Sequence, residues 1–332
     1  MELQDRINSF SLLANKINTS PKLFLGDQII IAKNHNPWFS EENILNSLNS
    51  LVTMLNKESL LKWIECYKLS NKKSTVLIIM AGNIPFVGFH DLLSVLITGN
   101  KAILKFSSKD ATLMTLLVNE LIKIDKRFND FITISDSLVK SGFDFVIATG
   151  SDSSAKYFNY YFSKSRCIIR KNRRSVAVLD GLESKNQLLG LSDDVFLYYG
   201  LGCRSVSKLY LPVGYDLNLI FEAFYKFNNV INNVKYCNNY EYNKAVFLMN
   251  SSDLLENGFI VLKEDTSIQS PIAMLFYEFY EDRNLLDLKL DSMKDDLQCI
   301  VCKENNNFGK TQYPKLTDYA DNIDTILFLN RI

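Results

Sequence analysis

The chain has only two histidines and six cysteines in 332 residues, and its 37 Lys and Arg are matched by 37 Asp and Glu. A formal net charge of zero gives no general basic field to recruit nucleic acid or an anionic membrane surface. The longest unbroken apolar runs, Val76 to Ala81 and Ile272 to Tyr277, fall far short of the roughly 20 residues that span a bilayer, so stable membrane insertion is not expected. Met1 to Ser20 carries acids and amides where a secretory signal needs an apolar core, so the sequence reads as a soluble, cytoplasmic protein. In that compartment Cys66, Cys167, Cys203, Cys237, Cys299 and Cys302 are read as thiols and not as a disulfide framework. A Ser-His-Asp hydrolase would have to use His35 or His90, and there is no Gly-x-Ser-x-Gly elbow for either to serve. Internal repeats and hinge-like Gly/Ser/Pro linkers are also lacking.

What is present is a composition that is 47% hydrophobic and 22% charged, enough for one sizeable core or two. The first seventy residues carry helical stripes: Ile7, Phe10, Leu13 and Ile17 share one face, and Ile44, Leu48, Leu51 and Leu55 repeat the spacing of three and four. From Ser74 the pattern changes to short apolar runs separated by amphipathic stretches: Thr75 to Ala81, Gly88 to Thr98, Lys101 to Phe106, Asp110 to Ile124, Phe131 to Ile134, Phe143 to Thr149, Ser151 to Phe162 and Cys167 to Arg170. Strands alternating with helices of this length predict parallel β-α-β units and an α/β fold with a Rossmann-type dinucleotide-binding sheet. After a strand at Ser175 to Asp180, a helix ending near Gly200, a strand at Val206 to Leu211, a helix at Leu217 to Phe227 and strands near Phe259 to Leu262 and Gln298 to Lys303 predict a second α/β domain. The expected division is residues 1–180 for the helices and dinucleotide-binding domain and 181–312 for a catalytic domain. Residues 313–332 form a C-terminal segment that is a candidate to return to the first domain. Asn228 to Asn243, rich in Asn and Tyr, reads as a surface excursion.

Four stretches could carry chemistry. Ala81-Gly82-Asn83-Ile84-Pro85 follows an apolar strand, where Gly permits a tight path and Asn offers an amide donor at a position that can line a ligand crevice; an Asx-type connector would look the same. Gly99-Asn100 closes a helix, and the strand after it delivers Lys105, which could meet a ribose or phosphate or simply snorkel to solvent. Thr149-Gly150-Ser151 opens a helix and could receive a pyrophosphate or serve as a plain N-cap. In Tyr199-Gly200-Leu201-Gly202-Cys203-Arg204-Ser205 two glycines flank a cysteine between a helix end and a strand, a place for an exposed nucleophile whose thiol neighbouring N–H groups and Arg204 would activate. Cys299 and Cys302 have metal-like spacing, but they lie in a strand-like run with no second Cys/His pair nearby, so they read as core and no metal site is expected. His90, seven residues past Asn83, reads either as a neighbour of the site or as a structural histidine.

Taken in order, Gly82-Asn83-Ile84-Pro85, Gly99-Asn100 with Lys105, Thr149-Gly150-Ser151, Arg174 to Asp180 and Gly202-Cys203 resemble the successive signatures of the aldehyde dehydrogenase superfamily. Ala-Gly-Asn-Ile-Pro, Gly-Cys-Arg-Ser-Val-Ser and the closing Leu316 to Asp321 look most like its LuxC-type fatty acyl-CoA reductases, over most of the chain from about Ser74. The resemblance implies that Cys203 is the nucleophile and that Asn83 with the Cys203 N–H forms the oxyanion hole. It further implies that Lys105 holds the adenosine ribose, and that Thr149, Gly150 and Ser151 flank the pyrophosphate. Ser107 and Ser108 stand where NAD-preferring relatives place an acidic residue, which favours NADPH over NADH. Aldehyde oxidisers carry a water-activating glutamate where this chain reads Ile169 to Arg174, so reduction of a fatty acyl-CoA or acyl-carrier-protein thioester is expected over aldehyde oxidation. The glutamate that holds the nicotinamide ribose has no counterpart in register, Glu264 being the nearest. An NAD-dependent aldehyde dehydrogenase and a non-catalytic nucleotide- or acyl-carrier-binding module are the alternatives. A homo-oligomer and an acyl-transferring enzyme are the candidate protein partners.

Overall fold

The computed structural model describes residues 1–305 and 307–330. They divide into two compact units, one formed by Met1–Asn172 with the chain from Lys315 onward, the other by Arg173–Pro314.

The first unit opens with helices. In Leu3–Thr19 the stripe Ile7, Phe10, Leu13 and Ile17 is completely buried, and in Glu41–Met54 so are Ile44 and Leu48. Burying one such side chain contributes about 1.5–3 kcal/mol relative to leaving it in water, so packing rather than propensity fixes these helices. The Ser40 hydroxyl starts the second by accepting the Asn43 N–H at 3.1 Å. Beneath them lies an all-parallel sheet of β1 (Thr75–Ile79), β2 (Lys101–Lys105), β3 (Ile132–Ile134), β4 (Phe145–Thr149) and β5 (Arg166–Arg170), in the order β3-β2-β1-β4-β5. The chain winds outward from β1 to one edge and then restarts at β4 on the other side. The reversal falls between β1 and β4, and the carboxyl ends of strands at such a reversal are the usual ligand position in open α/β sheets.

The second unit is a six-stranded sheet of β6 (Arg174–Val178), β7 (Val206–Pro212), β8 (Leu255–Glu256), β9 (Val261–Glu264), β10 (Met274–Tyr280) and β11 (Leu297–Val301), in the order β11-β6-β7-β10-β9-β8. All pairs are parallel except β8 with β9. Strand β6, placed before residue 180 by the sequence pattern, thus pairs with β7 and β11 in this second sheet.

Two features differ from the sequence pattern. Strand β10 joins β7 to β9, yet its apolar run shows no alternation because much of the strand is buried, so periodicity gives no strand signal. The Asn- and Tyr-rich stretch is not a surface excursion: it enters the helix Val234–Met249, capped by the Asn233 carboxamide, which accepts from Lys235 N (2.9 Å) and Tyr236 N (3.2 Å). Tyr236, Tyr240 and Asn243 recur at helical spacing and are buried, so the stripe that makes the helix consists of residues with polar tips.

The chain returns to the first unit through Leu316, Tyr319, Ile326 and Leu329, all in its buried cluster. The Tyr319 hydroxyl accepts Trp63 Nε1–H at 2.8 Å and lies 2.8 Å from the Tyr67 hydroxyl, which donates to Asp324 at 2.7 Å. Replacing Tyr319 with Phe leaves the buried Trp63 N–H without this acceptor, so urea unfolding of Tyr319→Phe should show a loss of about 1–3 kcal/mol. An unchanged midpoint would mean that the tail is held by apolar packing alone.

Candidate active site

Three loops leave the carboxyl ends of adjacent strands in the first sheet. After β1, Gly82 is buried and Asn83 is exposed at the tip. The loop is held from the helical layer: Asn36 Nδ2 donates to the Gly82 carbonyl at 3.3 Å and the Ser47 hydroxyl to the Pro85 carbonyl at 2.7 Å. Gly82 is needed for close approach, since a Cβ there would lie 2.6 Å from Ser107 Oγ and 2.7 Å from Ser107 Cβ.

After β2, half-buried Lys105 places Nζ 3.3 Å from the Phe106 carbonyl, and half-buried Ser107 and exposed Ser108 follow it. After β4, Thr149 is half-buried, Gly150 N donates to the Arg170 carbonyl at 3.2 Å, and Ser151 caps the helix Asp152–Tyr161 by accepting the Ser154 N–H at 3.3 Å. Lys105, Ser107, Ser108, Thr149, Gly150 and Ser151 therefore share one edge of one sheet. An ammonium group, several hydroxyls and a helix N-terminus suit the phosphates of a dinucleotide. Asn100, which the sequence grouped with Lys105, is structural: its buried carboxamide accepts the Ser74 N–H at 2.9 Å.

Cys203 belongs to the second unit, just ahead of β7. Helix Lys185–Phe196 ends in a turn where Tyr198 (φ 55°), Tyr199 (φ 57°) and Gly200 (φ 72°) are all left-handed. Two consecutive bulky residues in that region are a local strain that only surrounding structure sustains. Cys203 is half-buried in the turn closed by the Ser205 N–H on the Gly202 carbonyl at 3.1 Å. Fully buried Ser175 of β6 pins it, donating to the Cys203 carbonyl at 2.9 Å and accepting the Cys299 N–H at 3.1 Å. Arg204 Nη1 donates to Cys299 Sγ at 3.4 Å, so Cys299 meets a guanidinium while Cys302 is buried. A second brace runs from Asp194, whose carboxylate accepts from Gly309 N (2.7 Å), Thr311 N (3.0 Å) and Thr311 Oγ (2.7 Å). It fixes the segment whose Gln312 Nε2 donates to Ser205 Oγ at 3.1 Å. Sequence reasoning missed this brace because its members lie more than 100 residues apart.

Two further residues have clear positions. Arg170, in the stretch where aldehyde oxidisers carry their glutamate, is buried, with Nη1 2.5 Å from Asp91 Oδ2 and Nη2 3.2 Å from Thr325 Oγ1. Its cation faces inward to a carboxylate partner. His90 Nε2 lies 3.0 Å from the Leu316 carbonyl, with its ring against those of Trp63 and Tyr319, so it helps hold the returning tail.

The architecture is that of the aldehyde dehydrogenases. The chain is similar to aldehyde dehydrogenase 21 of Physcomitrella patens (TM-score 0.72, 11% identity, covering 99% of this chain and 84% of that one). It is likewise similar to an NAD+-complexed aldehyde dehydrogenase of Mycobacterium tuberculosis (TM-score 0.67, 12% identity, 95% and 77% covered). Within that fold, the chain belongs to the acyl-CoA reductase (LuxC) family, whose sequence model matches residues 15–223 and so takes in most of the N-terminal helices as well as Cys203. Among curated proteins it resembles long-chain acyl-protein thioester reductase 2 of Photobacterium leiognathi, 26% identical over 221 residues (60% of this chain, 46% of that protein). It also resembles the long-chain acyl-protein thioester reductase of Aliivibrio fischeri, 23% identical over 218 residues (60% and 45%). The matched region thus spans about half the length of these relatives.

Burial pushes the Asp194 carboxyl up to about 6, against the opposing pull of its Thr311 and Gly309 hydrogen bonds. A carboxyl raised above its ordinary 3.8 contributes stability that is fully present below that pH and is lost as pH rises through about 6. Comparing urea unfolding of the wild type with Asp194→Asn at pH 4 and pH 7 should show the wild type losing on the order of 2 kcal/mol relative to the variant. A difference independent of pH would mean that the hydrogen bonds fully offset the burial.

Proposed function

We propose that the chain reduces long-chain fatty acyl thioesters, presented on CoA or an acyl carrier protein, to the aldehyde through an acyl-enzyme on Cys203. The observation that supports this most directly is the pinned Gly202-Cys203-Arg204 turn inside the family match, where the backbone that carries half-buried Cys203 is held by Ser175 and, at Ser205, by the Asp194 brace. The Cys203 thiolate attacks the thioester carbonyl, the new C–S bond forms, and the carrier thiolate leaves and takes up a proton. The Asn83 amide donates to the oxyanion that develops on the carbonyl oxygen. Lys105, Ser107, Ser108, Thr149, Gly150 and Ser151 hold a nicotinamide dinucleotide, with the two serines accommodating a 2′-phosphate where an acidic residue would repel it. When bound, NADPH supplies the hydride that converts the Cys203 thioester to the aldehyde level. The lack of a carboxylate in the stretch Ile169 to Arg174 supports reduction over oxidation to the acid: a carboxylate base would activate water against the acyl-enzyme, and Arg170 of that stretch is a buried cation paired with Asp91.

Intact-protein mass spectrometry after mixing with a long-chain acyl-CoA should show one acyl adduct on the wild type and none on Cys203→Ala. NADPH should discharge the adduct as fatty aldehyde appears, faster than NADH does. Removal of an oxyanion donor typically costs about 10²–10³ in rate, so Asn83→Ala should form the adduct slower by that order while its melting temperature is unchanged. Faster turnover of aldehyde with NAD⁺ than of acyl-CoA with NADPH would instead make the protein an aldehyde dehydrogenase. Carrier binding without any adduct, across chain lengths, would make it a binding module.

A further inference from the structure

Asp110 occupies the residue before helix Ala111–Ile124, where an aspartate ordinarily caps the helix, yet its side chain makes no cap hydrogen bond. Instead it reaches 24 residues back along the sequence, and its Oδ2 accepts the Phe86 N–H at 2.9 Å. Phe86 is left-handed (φ 59°), an uncommon state for a bulky residue, and it follows Pro85 in the loop that carries Asn83. Both residues are 2% exposed. The second carboxyl oxygen, Oδ1, is buried with no hydrogen-bond partner among the described residues. Burying a carboxyl to satisfy one backbone N–H is costly, and such an arrangement persists where something else is gained. Burial also pushes the Asp110 carboxyl well above its ordinary range, against the weaker pull of the Phe86 N–H, so asparagine is close to an isostere of the group as it stands.

We propose that Asp110 is the positioning residue of the oxyanion donor: by holding the Phe86 N–H it fixes the left-handed turn that aims the Asn83 amide. The proposal rests on the reading of Asn83 as that donor. The carboxyl supplies the third fixed point of the loop, beside Asn36 on the Gly82 carbonyl and Ser47 on the Pro85 carbonyl. Unlike those two, it holds the loop beyond Pro85, where the backbone is strained.

The test is the single-turnover rate of Cys203 acylation by a saturating long-chain acyl-CoA, without cofactor, followed by intact mass. Asp110→Leu keeps the shape and removes both oxygens; Asp110→Ala is a second variant should the first fail to fold; Asp110→Asn keeps an oxygen for Phe86. Because small displacements of a catalytic group cost up to about 10²-fold, Asp110→Leu or Asp110→Ala should slow acylation at least about tenfold with unchanged half-saturation for acyl-CoA, and Asp110→Asn should recover most of the rate. In an Asn83→Ala background the same Asp110 substitutions should cost nothing further, since the group being aimed is gone. A full multiplicative loss in that background, or a fall in melting temperature with no fall in acylation rate, would overturn the role of Asp110 and leave the Asn83 reading standing. Full acylation by Asn83→Ala alone would overturn both.

Discussion

The parallel pairing of β1 with β2 on one side and β4 on the other is the constraint from which the first unit's chemistry follows. A parallel ladder must be covered on both faces, so each strand is connected by a crossover and every connection after a strand leaves at the same edge. That edge receives the Asn83 loop, the Lys105 to Ser108 segment and the Thr149 to Ser151 turn, from residues that span about seventy positions of sequence. The helix that starts after Ser151 turns its N-terminal N–H groups to that edge. The dipole of that helix favours negative charge near its N-terminus.

Both candidate catalytic loops combine left-handed non-glycine residues with a buried polar brace. Phe86 follows Asn83 and is tied to Asp110; Tyr198 and Tyr199 precede Cys203, whose turn is tied to Ser175 and, through Gln312, to Asp194. Backbone in this region is unfavourable for bulky side chains and does not persist unless its surroundings dictate it. Hydrogen bonds from buried side chains do so because a broken bond would leave a buried polar group unpaired. Rigidity is thus concentrated in the two candidate loops, while the tip of the Asn83 loop itself is exposed.

The inward Arg170 ties three parts of the first unit together. With Asp91 and Thr325 it forms a buried charged cluster, joining β5 to the helix Phe89–Ile97 and to the returning C-terminal segment. A buried ion pair is weak evidence of stability, because desolvation offsets much of the attraction, but removing one partner strands the other. The position is therefore committed to structure.

Much was legible without coordinates. Periods of 3.6 and 2 located the N-terminal helices and most strands, and the order of the Gly-Asn-Ile-Pro, Thr-Gly-Ser and Gly-Cys motifs pointed to the family, because local patterns follow from local packing. The central strand β10 escaped, since an apolar run buried on both faces carries no period, and the helix Val234–Met249 was hidden by a stripe of Tyr and Asn that composition reads as polar. The sequence by itself determined the alternation of strands and helices and which residue types stand at the strand ends. Only the tertiary structure decided that Asp110 abandons its helix cap for Phe86, that Arg170 turns inward and that Asp194 braces the cysteine turn. Each of those choices is made by burial and by a hydrogen-bonding partner distant in sequence, and neither leaves a mark on the residues nearby.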